Sequence, residues 1–350
     1  MKRKLFEIRM IALALILGGS VLCLGWGCQK QKPSDEIQLR GQTMGTFYQV
    51  TLASSEKCNQ PEELKQHVED LLEQINLQMS TYLPDSEISK FNDSQSTDWF
   101  EVSSDFANVA FESLEIAQQT GGAFDPTIGP LVNLWHFGPD QSTQSLPSEK
   151  TIEQAREVVG YQKLHVRLDP PAIKKEIPQL HLDLSAIAKG YAVDQVAHLV
   201  AKQGYKNYLV NIGGEVVAHG EKNSQFPWRL GIEKPLEDRR EIAELVALQN
   251  TAMATSGDYR NFYEIDGQKF SHTIDSKTGR PVTHTLRSVS VIAATCSQAD
   301  AFATALMVLG PQRAWAFAKE HQLNIYLIYE QDGKLTEQHS AKFPIDATKD

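Results

Sequence analysis

The sequence predicts an α+β fold in which mixed, largely antiparallel sheets pack against helices. Segments with apolar residues at helical spacing alternate with short apolar runs that end at Gly or Asp-Gly. Several of these runs lie at hairpin spacing, and strands joined by a short turn pair antiparallel. Of the 350 residues, 41% are hydrophobic, which is enough for a real core and argues against a disordered chain.

Five helices are predicted from apolar residues spaced three and four apart. They cover residues 59–79, 104–120, 187–203, 296–309 and 311–321. Asn59 is placed to cap the first helix, and Pro61 suits its first turn. Gly121 and Gly204 stand where a left-handed residue ends a helix, so the second and third helices stop there.

The predicted strands are concentrated in the second half of the chain. They cover residues 208–212, 229–232, 244–248, a hairpin over 262–273, 287–294 and 323–329. Asp266-Gly267 and Asp332-Gly333 are the expected hairpin turns. These hairpins are the reason for expecting antiparallel pairing.

The first 27 residues have the organisation of a bacterial export signal. Basic residues precede an apolar run over 10–24, and small residues end it. The run is shorter than the roughly 20 residues that span a bilayer, which favours a signal peptide over a permanent transmembrane helix.

Cys28 follows Gly27 directly, and residues 28–38 are polar enough to form a flexible tether. This arrangement resembles a lipoprotein signal, although Gly25 and Trp26 replace its usual leucine and small residue. The resemblance implies acylation of Cys28 and a membrane-anchored protein on the periplasmic side of the inner or outer membrane. The expected folded domain is residues 39–350.

The charge and the cysteines exclude several classes of protein. The formal net charge is -10, and it becomes -13 without residues 1–27, so an acidic surface argues against nucleic-acid binding. Four cysteines are too few and too scattered for a disulfide framework, and no Cys/His spacing indicates a metal site. The state of Cys58 and Cys296 stays open.

Five segments concentrate Gly, Asp, Thr and His at the ends of elements, where ligand contacts usually lie. They are QTMGTFY (42–48), STYLPDSEISKFN (80–92), GGAFDPTIGP (121–130), HLDLSAIAKGY (181–191) and 255–304, with the core SHTIDSKTGRPV. The chain has no Walker loop and no dinucleotide fingerprint after a predicted strand. Together and in this order, the five segments resemble the ApbE family of FAD:protein FMN transferases, whose fold is related to the T-fold.

The resemblance implies a set of residues that bind FAD. They are Met44, Tyr82, Ala123, Phe124, Asp125, Asp183, Lys189 and Ile274. A polarisable thioether suits packing on a flavin ring, and a tyrosine suits stacking or hydrogen bonding. Without the resemblance, Met44 would more often be a core residue, Asp183 a helix cap and Lys189 a solvated side chain.

Asp300 and Thr304 are spaced to reach one cation. Their spacing of four residues puts both side chains on one face of a helix, and oxygen ligands suit a hard cation such as Mg²⁺. Such a pair alone is usually a cap or a local hydrogen bond. Only the resemblance implies a magnesium site, with the backbone carbonyl of Ala186 as the third ligand.

Two catalytic residues are expected. His272 is the expected base, and Asp300 is the expected metal ligand. A histidine at the end of a strand is more often structural, but a neutral imidazole is well suited to proton transfer near pH 7. The resemblance implies that His272 helps to deprotonate the acceptor hydroxyl.

The expected reaction is magnesium-dependent transfer of FMN from FAD to a threonine hydroxyl of another protein, with release of AMP. FAD is then a consumed substrate, and the partner is a protein such as the flavinylated subunit of a membrane redox complex. One alternative is a FAD pyrophosphatase, in which water replaces the threonine. The other is a lipoprotein that binds FAD or another solute without catalysis.

Overall fold

The computed structural model describes residues 36–139, 145–223, 226–236, 238–259, 261–265 and 267–346. The predicted export signal and Cys28 lie outside these ranges. Within them, none of the helices has the length and apolar character needed to cross a bilayer.

The described part of the chain forms eight helices, of which five confirm the predicted ones to within two residues at each end and three short ones were not predicted. They are α1 Pro61–Met79, α2 Glu87–Asp93, α3 Ser104–Gln119, α4 Gly129–Leu134, α5 Glu149–Glu157, α6 Ser185–Lys202, α7 Cys296–Leu309 and α8 Pro311–Glu320. Gly121 and Gly204 have positive φ, as predicted for residues that end a helix. The expected cap at Asn59 is wrong, because Gln60 is the N-cap residue and makes no side-chain cap.

The strands that the structure describes include all those predicted. They are β1 Ile37–Thr43, β2 Thr46–Leu52, β3 Phe100–Glu101, β4 Leu164–Leu168, β5 Pro171–Lys175, β6 Tyr208–Ile212, β7 Glu215–His219, β8 Trp228–Glu233, β9 Ile242–Leu248, β10 Thr251–Gly257, β11 Phe262–Ile265, β12 Gln268–Ser271, β13 Ile274–Asp275, β14 Arg280–Pro281, β15 Leu286–Ala293, β16 Asn324–Gln331 and β17 Lys334–His339.

A sheet of eight strands forms the frame, in the order β1-β2-β6-β7-β10-β15-β16-β17. Every neighbouring pair in it is antiparallel. Smaller antiparallel sheets join β3 to β5 and β4, β8 to β9, β11 to β12, and β13 to β14. The α+β class with largely antiparallel pairing is therefore confirmed.

The main core lies between the large sheet and helices α1, α3, α6 and α7. Helix α1 packs against it with the apolar stripe that the sequence predicts, which includes Leu64, Val68 and Leu72. Helix α7 is buried almost throughout because it is rich in alanine and packs against both α6 and the sheet. The first turns of α7 contact the first half of α6, where two of the five motifs meet.

Candidate functional site

Helices α6 and α7 meet at Gly190. A Cβ atom there would lie 2.2 Å from the carbonyl oxygen of Cys296 on α7, a distance that no side chain tolerates. Gly190 therefore allows the two helix backbones to touch. Its backbone N–H donates a hydrogen bond to Asp300 Oδ2 at 3.0 Å.

One turn further along α6, Asp194 caps α7. Its two carboxylate oxygens accept hydrogen bonds from the backbone N–H groups of Cys296 at 2.8 Å and Ser297 at 2.9 Å. These N–H groups begin a helix and have no partner within it, and the helix dipole favours a carboxylate there. Gly190 and Asp194 thus fix the antiparallel register of α6 against α7.

Two of the predicted metal ligands, Ala186 and Asp300, belong to the two helices that cross here. Gly190 follows Ala186 by four residues on α6, and its N–H donates to Asp300. In a regular helix the carbonyl of Ala186 points towards this N–H, so Ala186 lies on the same part of the crossing as Asp300. Thr304 is one turn beyond Asp300 on α7, with its hydroxyl 3.3 Å from that of Ser256.

The Asp300 carboxylate, the Thr304 hydroxyl and the Ala186 carbonyl are oxygen donors of three kinds, and oxygen donors suit a small hard cation such as Mg²⁺. Within the described ranges, no three His, Cys, Asp or Glu side chains group as a metal site. A site made from one carboxylate, one hydroxyl and one carbonyl would not form such a group. The donor set therefore fits the ion that the sequence predicts.

Lys189 links Asp300 to a carboxylate that the sequence analysis missed. Lys189 Nζ lies 2.6 Å from Glu215 Oε1 and 3.8 Å from Asp300 Oδ1. Both carboxylate residues are only 3% exposed. Glu215 begins β7 directly after the turn at Gly213 and Gly214. The feature of the sequence that could have indicated a functional residue here is an acidic residue that follows two glycines at the end of a predicted strand.

The charges of this cluster depend on one another. Burial raises the pKa of Asp300 to about 6; Glu215 adds to the rise, while Lys189 and the Gly190 N–H oppose it. Burial alone would lower the pKa of Lys189, but Asp300 and Glu215 outweigh burial and raise it. The ammonium of Lys189 therefore stays protonated at neutral pH.

His272 follows β12, and its ring is oriented by a backbone carbonyl. Its Nδ1 lies 3.0 Å from the oxygen of Asn261, which can only accept, so Nδ1 carries the hydrogen. In the neutral ring Nε2 is then the free acceptor. Burial lowers the pKa of His272, and the positive charge of Lys189 lowers it further, against opposing effects of Asn261 and Asp258.

An aromatic group connects Tyr82 to His272. The Tyr82 hydroxyl donates to the carbonyl of Phe137 at 3.3 Å, and its side chain is otherwise 60% exposed. The Phe137 ring stacks on Tyr263 at 5.2 Å and meets His272 edge to face at 6.3 Å. Burial raises the pKa of Tyr82, and the negative charge of Asp183 raises it further. Tyr82 is thus linked to His272 through Phe137 and lies within electrostatic range of Asp183.

Met44 and Gly45 form the two-residue turn between β1 and β2. Both have positive φ, at 50° and 70°, as a type I′ hairpin turn requires. Met44 is partly buried against the main core. The Gly213 N–H donates to the carbonyl of Phe47 at 3.1 Å, so the hairpin lies beside the turn that leads to Glu215.

The GGAFDP motif lies mostly inside the protein. Ala123 and Phe124 belong to the main core. Asp125 Oδ1 accepts from the backbone and hydroxyl of Thr127, and Oδ2 accepts from the backbone of Tyr161 at 3.2 Å. The carboxylate thus already serves internal donors, and its predicted contact with a ligand stays a prediction.

Two further predicted residues lie at the edges of the same region. Asp183 Oδ1 accepts from the Ser185 N–H at 2.8 Å just before α6. Ile274 is buried in a smaller apolar cluster with Trp135 and Phe270. The loop after Ile274 is tied to the GGAFDP motif, since the Ser276 hydroxyl donates to the Gly122 carbonyl at 2.9 Å.

A recess of about 320 Å³ lies at the opposite end of α6. Its lining includes Glu63, His67 and Tyr205. Helix α6 has 18 residues and is therefore about 27 Å long, which separates this recess from Ala186. The recess is therefore not part of the site at the crossing.

The chain is similar to known proteins over most of its length. It is 40% identical over 329 residues to the FAD:protein FMN transferase of Vibrio cholerae, covering 94% of this chain and 97% of that protein. It is 38% identical over 325 residues to the FAD:protein FMN transferase of Escherichia coli K12, covering 91% and 92%.

Solved structures give the same result. The flavin transferase ApbE from Vibrio cholerae superposes with a TM-score of 0.81 at 39% identity, covering 89% of this chain and 99% of that one. The apo form of the Pseudomonas stutzeri flavinyl transferase ApbE gives a TM-score of 0.79 at 34% identity, covering 87% and 95%. The model of the ApbE family matches residues 44–328. The chain therefore belongs to the ApbE family.

Proposed function

We propose that this protein transfers FMN from FAD to a threonine hydroxyl of an acceptor protein, with magnesium and with release of AMP. The observation that carries the proposal is the α6–α7 crossing, where the buried Asp300 accepts a hydrogen bond from the Gly190 N–H and lies beside the Lys189 ammonium. Relatives similar over more than nine tenths of this chain are FAD:protein FMN transferases. Both findings favour FAD as a consumed substrate.

The reaction breaks one phosphoanhydride bond and forms one phosphoester bond. The acceptor oxygen forms a bond to the phosphorus on the FMN side of the diphosphate, and the bond from this phosphorus to the bridging oxygen breaks. AMP leaves with the bridging oxygen, and the hydroxyl proton passes to a base. Negative charge accumulates on the diphosphate in the transition state, so a catalyst must supply positive charge there.

The residues of the crossing meet this requirement. Ala186, Asp300 and Thr304 would hold the cation, which when bound supplies Lewis-acid neutralisation of the diphosphate. Lys189 contributes a second positive charge that stays protonated at neutral pH. Burial of Asp300 strengthens these interactions because little water screens them.

We assign His272 as the group that receives the proton of the acceptor hydroxyl. Its Nδ1–H is held by Asn261, which leaves Nε2 as the acceptor. Met44, Tyr82, Ala123, Phe124, Asp125, Asp183 and Ile274 are assigned to FAD binding. The hydrogen bond of Tyr82 to Phe137 and the edge contact of Phe137 with His272 support the assignment of Tyr82 to the same site as His272.

The place of action is also part of the proposal. Residues 1–27 would direct export, and acylated Cys28 with the residues between it and β1 would tether the folded domain to a membrane on the periplasmic side. The acceptor would then be an exported or membrane redox protein with an exposed threonine.

One assay tests the function. The protein is incubated with FAD, Mg²⁺ and an acceptor that displays a threonine loop, and the acceptor is examined for covalent flavin fluorescence in a denaturing gel and by mass. Labelled acceptor with stoichiometric AMP is the expected result. FMN and AMP without labelling would indicate a pyrophosphatase, and intact FAD would indicate a binding protein.

His272→Ala should slow transfer by about 10² to 10⁴-fold, because a positioned base contributes about that much. The affinity for FAD should change little. Since the pKa of His272 is lowered from its ordinary value near 6.5, the wild-type rate should fall only as the pH drops below about 6.5. The base acts in its neutral form, so activity is kept above the lowered pKa and lost below it.

Single-turnover rates between pH 5 and 8 measure this effect, and flavin fluorescence titration measures FAD binding. His339→Ala, which changes an exposed histidine on β17, is the control. A His272→Ala variant with the rate and pH profile of the wild type would remove His272 from this role.

A further inference from the structure

We propose that Glu215 is a positioning residue that holds the Lys189 ammonium away from Asp300, so that the Asp300 carboxylate remains available to a divalent cation. This inference rests on the magnesium site of the proposed function. It assigns a task to a buried charge that the reaction itself does not use.

The distances show which carboxylate holds the lysine. Lys189 Nζ is 2.6 Å from Glu215 Oε1, which is a short charge-assisted hydrogen bond, but 3.8 Å from Asp300 Oδ1. Asp300 instead accepts the Gly190 N–H through its other oxygen. Lys189 is therefore bound to Glu215 and only adjacent to Asp300.

The backbone makes Glu215 a rigid anchor. It is the first residue of β7 and pairs with Ile212 of β6 across the turn at Gly213 and Gly214, which both have positive φ. Its side chain is 3% exposed. Held in this way, Glu215 fixes the position of the more flexible lysine.

Charge counting explains why the anchor matters. Asp300, Glu215 and Lys189 together carry one negative charge, which attracts a dication. Without the charge of Glu215 the group would be neutral, and the ammonium of Lys189 would have Asp300 as its only carboxylate partner among these three residues. The lysine would then compete with the cation for the same oxygen.

Glu215 Oε2 gives a second indication that this carboxylate is placed for more than packing. It is buried and has no hydrogen-bond partner in the described structure. It lies 3.4 Å from the position that a Cβ of Gly213 would occupy, where the side chain of Thr46 also approaches. A buried carboxylate oxygen without a hydrogen bond costs free energy, and an apolar side chain at this position would not carry that cost. Packing alone therefore does not explain a glutamate here.

The test uses Mn²⁺ as a magnesium probe and measures its binding by electron paramagnetic resonance, without FAD and without turnover. Glu215→Gln keeps the shape of the side chain and removes its charge. We expect its affinity for Mn²⁺ to fall by about tenfold or more, as the removal of a nearby buried charge predicts. The second variant combines Glu215→Gln with Lys189→Met, which restores one net negative charge, and should recover most of the affinity.

Recovery in the double variant separates positioning from a structural role, because a damaged fold is not repaired by a second substitution. Glu320→Gln, at an exposed acidic residue at the end of α8, is the control for loss of charge and should bind like the wild type. Unchanged affinity in Glu215→Gln, or a double variant that binds Mn²⁺ no better than Glu215→Gln, would overturn the role of Glu215 but not the magnesium site. A wild-type protein that does not bind Mn²⁺ would overturn both.

Discussion

Asp300→Ala should abolish FMN transfer, with a loss of about 10³-fold or more. Asp300 is the one carboxylate in the predicted metal-ligand set, and its second oxygen faces Lys189. Its removal takes away the charge that would hold the cation and leaves the Gly190 N–H without its buried partner. Losing one preorganised electrostatic group in a buried site typically costs about 10² to 10³ in rate, and the loss of a bound cation adds to it.

Single-turnover transfer measured over a wide range of Mg²⁺ concentrations checks this prediction. Asp300→Asn is the matched variant, since its amide oxygen can still accept the Gly190 N–H and preserve the helix contact without the charge. It should fold like the wild type and remain nearly inactive. Asp332→Asn, in the exposed β16–β17 turn, is the control. Wild-type rates in Asp300→Asn at saturating Mg²⁺ would contradict the role of Asp300.

The spacing of Asp300 and Thr304 was readable from the sequence because both lie in one helix, where residues four apart share a face. A site shared with Ala186 requires instead a contact between two helices that are separated by more than 90 residues. Local spacing carries no information on such a contact. The family resemblance implied Ala186, and the structure shows a contact between its helix and Asp300, which is the hydrogen bond from the Gly190 N–H.

Glu215 was missed for the same reason. Its significance comes from the ion pair with Lys189, which joins β7 to α6. In the sequence it is one of many acidic residues, and its only mark is the preceding double glycine. A buried charge can be recognised only once the fold shows what surrounds it.

The five longest helices were predicted because their apolar stripes are long and continuous, whereas three shorter helices and several strands were not predicted. Strand β10 (TAMATSG) has small residues where strands usually carry branched or aromatic ones. It nevertheless lies in the middle of the large sheet, where its small side chains leave room for α7 to pack closely. Tertiary packing here overrides the local preference.

The hairpin at Met44 shows a related limit. Residues 42–48 were recognised as a motif, but the strands β1 and β2 on either side were not predicted, because polar residues interrupt them. The structure shows that Met44 occupies a left-handed turn position, which is uncommon for a residue with a long side chain. Such a conformation at a predicted ligand contact is typical of functional sites.

Gly190→Ala should weaken both the fold and the cation site, because the added Cβ meets backbone atoms. It would lie 2.2 Å from the Cys296 oxygen, 2.6 Å from its carbonyl carbon and 2.8 Å from the Ser297 Cα. Backbone cannot rotate away as a side chain can, so α6 and α7 must separate. Alanine favours a helix by about 1 kcal/mol over glycine, but overpacking of a core costs typically about 1–3 kcal/mol.

The separation should lengthen the bond from Gly190 to Asp300 and pull the Ala186 carbonyl away from the α7 donors, so Mn²⁺ affinity should fall together with the melting temperature. Gly333→Ala is the matched control. It places a Cβ at a left-handed residue with no atom within 4 Å, in a turn far along the chain from both helices, and destabilises by backbone strain alone. If the two variants lose similar stability and Gly190→Ala still binds Mn²⁺ like the wild type, close contact of α6 with α7 is not what assembles the site. A selective loss of Mn²⁺ affinity in Gly190→Ala would show that one glycine sets the spacing between the two groups of oxygen donors.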